Sequence, residues 1–282
     1  MRKASAPALQ DLFESGEPPQ IFARQVFFEG GFGATYHTNA RSELEWVRNG
    51  ASSGSVEDRR ACIRPGARIL VLGDSHMRYA SAMLGSYLCG FPVEISKPAD
   101  GIPAPFSHCP AVIDTLFHSK DELGEFGVPN GQWDYIFASY AQHFFSRFFV
   151  ALKDYEVIMG ERISRLASYA EDHSSARVAW VEVPPMAEST HLEQKNHNDR
   201  RTYPRLKLAQ LAAQRALEPY LEGSGSGALG YVPMFDLVMG LSDWSDPTFH
   251  WTGIPELAKE ISLRLLDFIC ASEEKKSGSQ MA

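Results

Sequence analysis

The chain alternates short runs of apolar and β-branched residues with longer segments of helical periodicity. The short runs predict five buried strands, at 68–72, 92–95, 134–138, 178–183 and 231–235. The longer segments predict four helices, at 77–88, 144–170, 203–221 and 254–270. Strands that alternate with helices pair in parallel through right-handed crossovers. The pattern therefore predicts an α/β domain with helices on both faces of the sheet and ligands bound beyond the carboxyl ends of the strands.

The two ends of the chain lack this pattern. Residues 1–25 are rich in Pro, Ser and Glu without a period, which predicts a loosely structured N-terminal arm. Residues 272–282, SEEKKSGSQMA, predict a flexible tail. A length of 282 residues suits one large domain better than two small ones, so we expect a single domain over 26–271.

Charge and hydropathy exclude two classes of partner. The 27 Lys and Arg against 35 Asp and Glu give a formal net charge of −8, so no broad cationic surface is available and nucleic acid is not an expected partner. No apolar run approaches the roughly 20 residues that span a bilayer, and the first residues lack an apolar signal segment. We expect a soluble chain without a membrane span, either cytoplasmic or an excised lumenal or secreted domain.

Metal and nucleotide chemistry find no support in the motifs. The sequence has no HExxH, no GxGxxG and no P-loop motif. Its four cysteines follow no zinc-binding spacing: Cys62, Cys89, Cys109 and Cys270. We therefore expect no metal and no cofactor.

The strand predicted at 68–72 ends in Gly73-Asp74-Ser75 and runs directly into a helix. A serine at this point lies at a strand tip, where the first N–H groups and the positive dipole end of the helix favour a negative charge. That geometry suits a nucleophile beside an oxyanion. The alternative interpretation is a turn with a helix cap, for which Asp and Ser are equally good residues.

A carboxylate and an imidazole occur together between the last strand and the last helix. Asp243, Asp246 and His250 lie in the segment DWSDPTFHW at 243–251. A serine hydroxyl needs a histidine to accept its proton, and that histidine needs a carboxylate to orient it. The chain order Ser75, Asp246, His250 supplies all three groups, although a surface His near an Asp remains the alternative.

Several blocks of this sequence, in chain order, resemble the SGNH or GDSL-type hydrolases. Within them the similarity is to the PC-esterase branch, which includes plant trichome-birefringence-like polysaccharide O-acetyltransferases. GDSHMR at 73–78 is similar to the branch's Gly-Asp-Ser-x-x-Arg block, and CIRPG at 62–66 resembles its Cys-containing lead-in. SYAQH at 139–143 resembles its Asn-x-Gly-x-His block, and DRRTYPR at 199–205 its basic helix-start segment. The resemblance covers about 58–268.

The resemblance implies a fold and a catalytic triad. The fold is an SGNH-hydrolase-like three-layer sandwich with a five-stranded parallel sheet of order 2-1-3-4-5. The triad is Ser75 as nucleophile with an Asp-x-x-His pair. Here the family spacing would put the acid at Pro247, whereas Asp246 lies four residues before His250 and Asp243 seven. We prefer Asp246 as the acid and keep Asp243 as the alternate.

Three groups are candidates for stabilising the oxyanion: the backbone N–H of Ser75, a backbone N–H at Gly101 and the hydroxyl of Ser139. Ser139 stands where the branch has Asn, so its hydroxyl would be a weaker replacement for the amide. Candidate substrate-binding residues are Arg78, Gln142, His143 and Trp251. For these residues a structural role, such as anchoring a turn or packing a loop, is the alternative.

These observations predict a serine-dependent esterase or O-acyltransferase that acts on short acyl esters through an acyl-enzyme on Ser75. The resemblance favours acetyl esters of carbohydrates, so the expected partner is a small-molecule or glycan ester. The alternative is a catalytically silent SGNH-like module that binds a glycan or a protein. The altered block at 139–143 and the irregular acid spacing motivate this alternative.

Overall fold

The computed structural model describes residues 56–89, 111–117, 127–140, 142–146, 150–182, 203–221, 225–234 and 255–279. The predicted N-terminal arm at 1–25 and the predicted strand at 92–95 lie outside these residues. No helix in the described ranges is both long enough and apolar enough to cross a membrane.

The described strands are β1 (Ala67–Gly73), β2 (Ala111–Phe117), β3 (Tyr135–Ser139), β4 (Arg177–Val181) and β5 (Leu229–Val232). They pair in parallel in the order β2-β1-β3-β4-β5. Every strand therefore ends at the same edge of the sheet, where the fold rule for open parallel sheets expects a ligand. The prediction of an α/β fold with a parallel sheet is confirmed.

The described α-helices are α1 (Val56–Ala61), α2 (Ser75–Cys89), α3 (Gln142–Ser146), α4 (Leu152–Asp172), α5 (Tyr203–Leu217) and α6 (Pro255–Ser279). A 3-10 helix, Glu218–Tyr220, extends α5. Helices α2 and α6 pack together on one face of the sheet, and α4 and α5 pack together on the other.

Strand β1 is an interior strand of the sheet, between β2 and β3. Ile69 and Val71 belong to the core under α2 and α6, whereas Leu70 and Leu72 belong to the core under α4 and α5. All four side chains are buried. A strand covered on both faces needs apolar residues at every position, which explains the unbroken run ILVL that predicted it.

The structure differs from the predicted elements mainly in three places. The second strand of the sheet is β2 at Ala111–Phe117, which sequence analysis missed because Asp114 and Thr115 interrupt its apolar pattern. The single helix predicted at 144–170 is two helices, because the chain is extended at Ala151 between α3 and α4. The tail predicted from residue 272 is wrong as far as Ser279, where α6 ends. Inside α6 the Ser272 hydroxyl is buried and donates to the Phe268 carbonyl at 2.7 Å, so this polar residue does not end the helix.

A disulfide joins the two ends of the described domain. Cys62, just after α1, is bonded to Cys270 in α6, with the two Cα atoms 5.2 Å apart. Beside it, the largely buried guanidinium of Arg59 forms an ion pair with Asp267 of α6. These contacts fix α6 against the chain that leads into β1.

Replacing both cysteines, as Cys62→Ala/Cys270→Ala, should lower the free energy of unfolding by about 2–5 kcal/mol. A bond between residues 208 positions apart removes much of the conformational entropy of the unfolded chain. For a domain of this size the Tm should fall by on the order of 10 °C in thermal unfolding without reductant. Reductant should produce a similar fall in the wild type and no further fall in the double variant. A wild-type Tm that is unchanged once the disulfide is reduced would contradict this stabilising role.

Candidate active site

The turn after β1 accepts no side chain at Gly73. Its φ of +152° is rare for L residues, and a Cβ atom built there would lie 2.3 Å from the Ser139 carbonyl oxygen and 2.6 Å from Cγ of Met77. Gly73 pairs with Ser139 in the β1–β3 register. The absence of a side chain thus allows β1, β3 and α2 to approach one another at the carboxyl edge of the sheet.

Asp74 caps the helix that carries the candidate nucleophile. Its Oδ1 accepts a hydrogen bond from the His76 N–H at 3.0 Å, and its carbonyl accepts from the Arg78 N–H at 3.1 Å. The capping alternative from sequence is therefore correct for Asp74. Ser75 is the first residue of α2 and is half-buried. Among the described residues, none accepts a hydrogen bond from the Ser75 N–H.

An imidazole faces the Ser75 hydroxyl from the neighbouring strand connection. His143 lies in α3, which follows β3, and its Nε2 is 3.4 Å from Ser75 Oγ. In a sheet of order β2-β1-β3-β4-β5, the chain connections diverge between β1 and β3, and this is the position where such sheets bind ligands. Ser75 follows β1 and His143 follows β3, so the two residues lie on either side of this position.

Aromatic packing holds the short helix α3 in place. Phe144 and Phe145 are fully buried, and their ring centroids lie 5.6 and 5.0 Å from that of Tyr155 in α4. The Tyr155 hydroxyl donates to the Tyr140 carbonyl at 2.8 Å. His143 is therefore carried by a backbone that is anchored on both sides by buried contacts.

Buried charges surround these aromatic rings. The guanidinium of Arg162, only 4% exposed, lies 4.6 Å from the ring centroid of Tyr140 and 5.2 Å from that of Phe144. Burial raises the pKa of the Tyr155 phenol well above its usual value, and the Asp74 carboxylate raises it further, while Arg162 acts in the opposite direction. The Tyr155 phenol therefore keeps its proton and remains a hydrogen-bond donor at neutral pH.

A second buried carboxylate lies at the end of β4. One oxygen of Glu182 accepts hydrogen bonds from the Gln210 and Gln214 side-chain amides of α5, at 2.6 and 3.2 Å. Both amides also donate to the Tyr231 hydroxyl of β5, at 2.9 and 2.7 Å. The other oxygen accepts from the Met234 N–H at 2.9 Å. Glu182 thus fixes the direction in which the chain leaves β5 toward the segment at 235–254.

The structure brings together some of the residues predicted from sequence. Ser75 and His143 are adjacent, as described above. The Ser139 hydroxyl is buried and has no hydrogen-bond partner among the described residues. Arg78 is half-buried in α2, with its guanidinium 5.9 Å from the Tyr79 ring centroid. Gln142 is the first residue of α3.

Gly101, Asp243, Asp246, His250 and Trp251 lie outside the described residues. Within the described ranges, no cluster of His, Cys, Asp or Glu is arranged to hold a metal ion.

Sequence analysis missed two residues of α4 that pack against the aromatic rings of α3, Tyr155 and Arg162. Both lie on the buried face of α4 with Met159, Ile163 and Leu166. A charged residue on an otherwise apolar helix face was the available signal, because an arginine is rarely buried without a specific partner.

No family model matches the chain, and no curated protein matches it. One similar solved structure is described as "a putative platelet activating factor from Streptococcus pneumonia". It is 14% identical with a TM-score of 0.49, and the match covers 81% of this chain and 94% of that chain. A likeness at this level identifies no family and assigns no residue.

Gly73→Ala should destabilise the domain and displace Ser75. The added methyl group would overlap the Ser139 carbonyl and Met77, so the β1–α2 turn must move. We expect a loss of more than about 2 kcal/mol in the free energy of unfolding, measured by denaturant titration. Gly66→Ala is the matched control, because Gly66 also has a positive φ, +78°, but a Cβ atom there meets nothing within 4 Å. Equal losses for the two variants would contradict the steric explanation.

Proposed function

We propose that this protein is a serine-dependent acyl-ester enzyme in which Ser75 is the nucleophile. One observation carries the proposal: the Ser75 hydroxyl, at the tip of β1 and the start of α2, lies 3.4 Å from an imidazole nitrogen of His143. A hydroxyl at a helix N-terminus, faced by an imidazole at a ligand-binding edge, suits acyl transfer, in which His143 faces the bound ester and the proposed base is His250. The parallel sheet is the scaffold expected for such a site.

In the proposed mechanism, Ser75 Oγ attacks the ester carbonyl and forms a tetrahedral intermediate. His250 takes the Ser75 proton and returns it to the leaving alcohol, while Asp246, or Asp243 as the alternate, orients His250. Because β5 ends at the same edge of the sheet as β1, the segment between β5 and α6 starts on the side of Ser75. This topology supports the assignment of base and acid to that segment.

Expulsion of the alcohol leaves an acyl group on Ser75. A water molecule then attacks the acyl carbon in hydrolysis, or a bound hydroxyl group attacks it in transfer. Both outcomes regenerate the free Ser75 hydroxyl. For the oxyanion, the Ser75 N–H, which has no acceptor among the described residues, is the first donor, and a backbone N–H at Gly101 and the Ser139 hydroxyl are further candidates.

We propose acetyl esters of carbohydrates as the substrate class. The support is the resemblance of the blocks at 73–78, 139–143 and 199–205 to SGNH-type enzymes of the PC-esterase branch. Arg78, Gln142, His143 and Trp251 would hydrogen-bond to or stack on a sugar. The proposed substrate class therefore rests on the sequence resemblance, whereas the proposed serine chemistry rests on the geometry at Ser75.

Ser75→Ala should abolish hydrolysis of an aryl acetate and labelling by a fluorophosphonate, since only an activated serine reacts readily with that probe. Peptide mapping of the wild type should locate the label on Ser75. Ser81→Ala, which removes another hydroxyl from α2, should keep both activities. A folded wild-type protein that neither labels nor hydrolyses the ester would favour the silent binding module instead.

The carbohydrate claim predicts that an O-acetylated glycan loses acetate faster than an aryl acetate does, or that added oligosaccharide becomes acetylated. An acceptor or substrate held beside Ser75 competes with water through its effective concentration. A panel of plain and O-acetylated glycans, followed by mass spectrometry, measures both reactions. Aryl ester turnover with no change in any glycan would leave a general esterase.

A further inference from the structure

Some of the backbone N–H groups around Ser75 already donate to an acceptor within the protein. The His76 N–H is occupied by the Asp74 carboxylate, and the Arg78 N–H by the Asp74 carbonyl. The Ser75 N–H, which directly follows Asp74, has no acceptor in the described part of the chain. A tetrahedral oxyanion is bonded to the same carbon as Ser75 Oγ, so any second donor must also lie close to Oγ.

Two side chains on the β3 side, those of Ser139 and His143, are candidates for the second donor to the oxyanion. Ser139 is 1% exposed, and it lies within the strand, on the sheet face covered by α2. His143 is half-buried, it follows the strand, and its Nε2 lies 3.4 Å from Ser75 Oγ. Of the two, His143 has the position from which a group can contact a bound ester.

We propose that His143 is a further catalytic residue, whose Nε2–H donates a hydrogen bond to the carbonyl oxygen of the ester as that oxygen becomes negative. The proposal rests on the proposed function of Ser75 and adds a role beyond binding. The proton that leaves Ser75 goes to the base from the segment at 235–254, and His143 keeps its own proton throughout. Together, the Ser75 N–H and His143 Nε2–H form the oxyanion site.

The distance is compatible with a donor to the substrate. A catalytic hydroxyl and its base lie about 2.6–3.2 Å apart in a productive complex and are often farther apart before substrate binds, so 3.4 Å is a loose contact. The imidazole therefore lies beside the nucleophile without a tight bond to it. In that position Nε2 lies close to an oxygen that forms next to Oγ.

The surrounding charges also favour a negative substrate oxygen. The guanidinium of Arg162 lies 5.2 Å from the Phe144 ring centroid, and that of Arg205 lies 5.6 Å from the Phe145 ring centroid. Both rings belong to α3, the helix that carries His143. The N-terminus of α2 adds a positive partial charge beside Ser75. These positive charges favour a developing oxyanion, whereas the buried Asp74 carboxylate, which accepts the His76 N–H, opposes it.

His143 is also rigidly supported, as a transition-state donor must be. The next two residues, Phe144 and Phe145, are buried against Tyr155, and the Val150 N–H donates to the Phe144 carbonyl at 2.9 Å. Because these contacts exist before substrate binds, little reorganisation is needed when charge develops.

His143→Gln and His143→Ala distinguish a donor from a base, because a glutamine amide donates a hydrogen bond but cannot take up a proton at neutral pH. For aryl acetate hydrolysis we expect His143→Ala to lower kcat by about 100- to 1,000-fold with little change in KM. His143→Gln should recover at least about tenfold of that loss. Both variants should keep the rise of kcat with pH near about 6.5, since the base is a different imidazole.

His173→Ala is the matched control, because His173 is an exposed imidazole stacked on Tyr169 after α4 and lies outside the site. It should keep wild-type kinetics, and the Tm of every variant shows whether it is folded. The donor role is overturned if His143→Gln is as inactive as His143→Ala and both lose the pH dependence, which would make His143 the base. It is also overturned if His143→Ala keeps wild-type kcat. Failure of the proposed function looks different, because the wild type itself would then show no Ser75-dependent turnover or fluorophosphonate labelling.

Discussion

The close approach of β1, β3 and α2 at Gly73 is the constraint on which the candidate site depends. Only a hydrogen atom fits between the Ser139 carbonyl and Met77, so β1 can turn into α2 within one residue. A wider turn would separate the tip of β1 from the connection after β3. Because the turn is tight, Ser75 lies beside His143 although the two are 68 residues apart in sequence.

Buried carboxylates control how the chain leaves the sheet at this edge. Asp74 accepts the His76 N–H after β1, and Glu182 accepts the Met234 N–H after β5. In each case a side chain satisfies a backbone donor that no strand or helix would satisfy. The two contacts lie where β1 passes into α2 and where β5 passes into the segment that carries Asp246 and His250. These two buried carboxylates therefore help to set the direction in which the chain leaves β1 and β5.

Local features could be predicted from sequence, and long-range ones could not. Strand β1 and the turn at Gly73 could be predicted because an apolar run and the turn residues that end it lie within about ten residues of sequence. The contact between Ser75 and His143 depends on which strands are neighbours, and periodicity does not contain that information. Likewise, four cysteines permit three complete pairings, so the bond between Cys62 and Cys270 needed the fold. Strand β2 was missed because Asp114 obscures its pattern.

The disulfide makes the described domain a closed ring in covalent terms. Residues 62 and 270 lie 5.2 Å apart at Cα, a separation that a short peptide can span as well as a disulfide can. The order of strands in the sheet is then independent of where the ring is opened. The exposed turn at 173–175, between α4 and β4, offers such an opening. The same sheet is therefore compatible with a circularly permuted chain whose ends lie far from β1 in sequence.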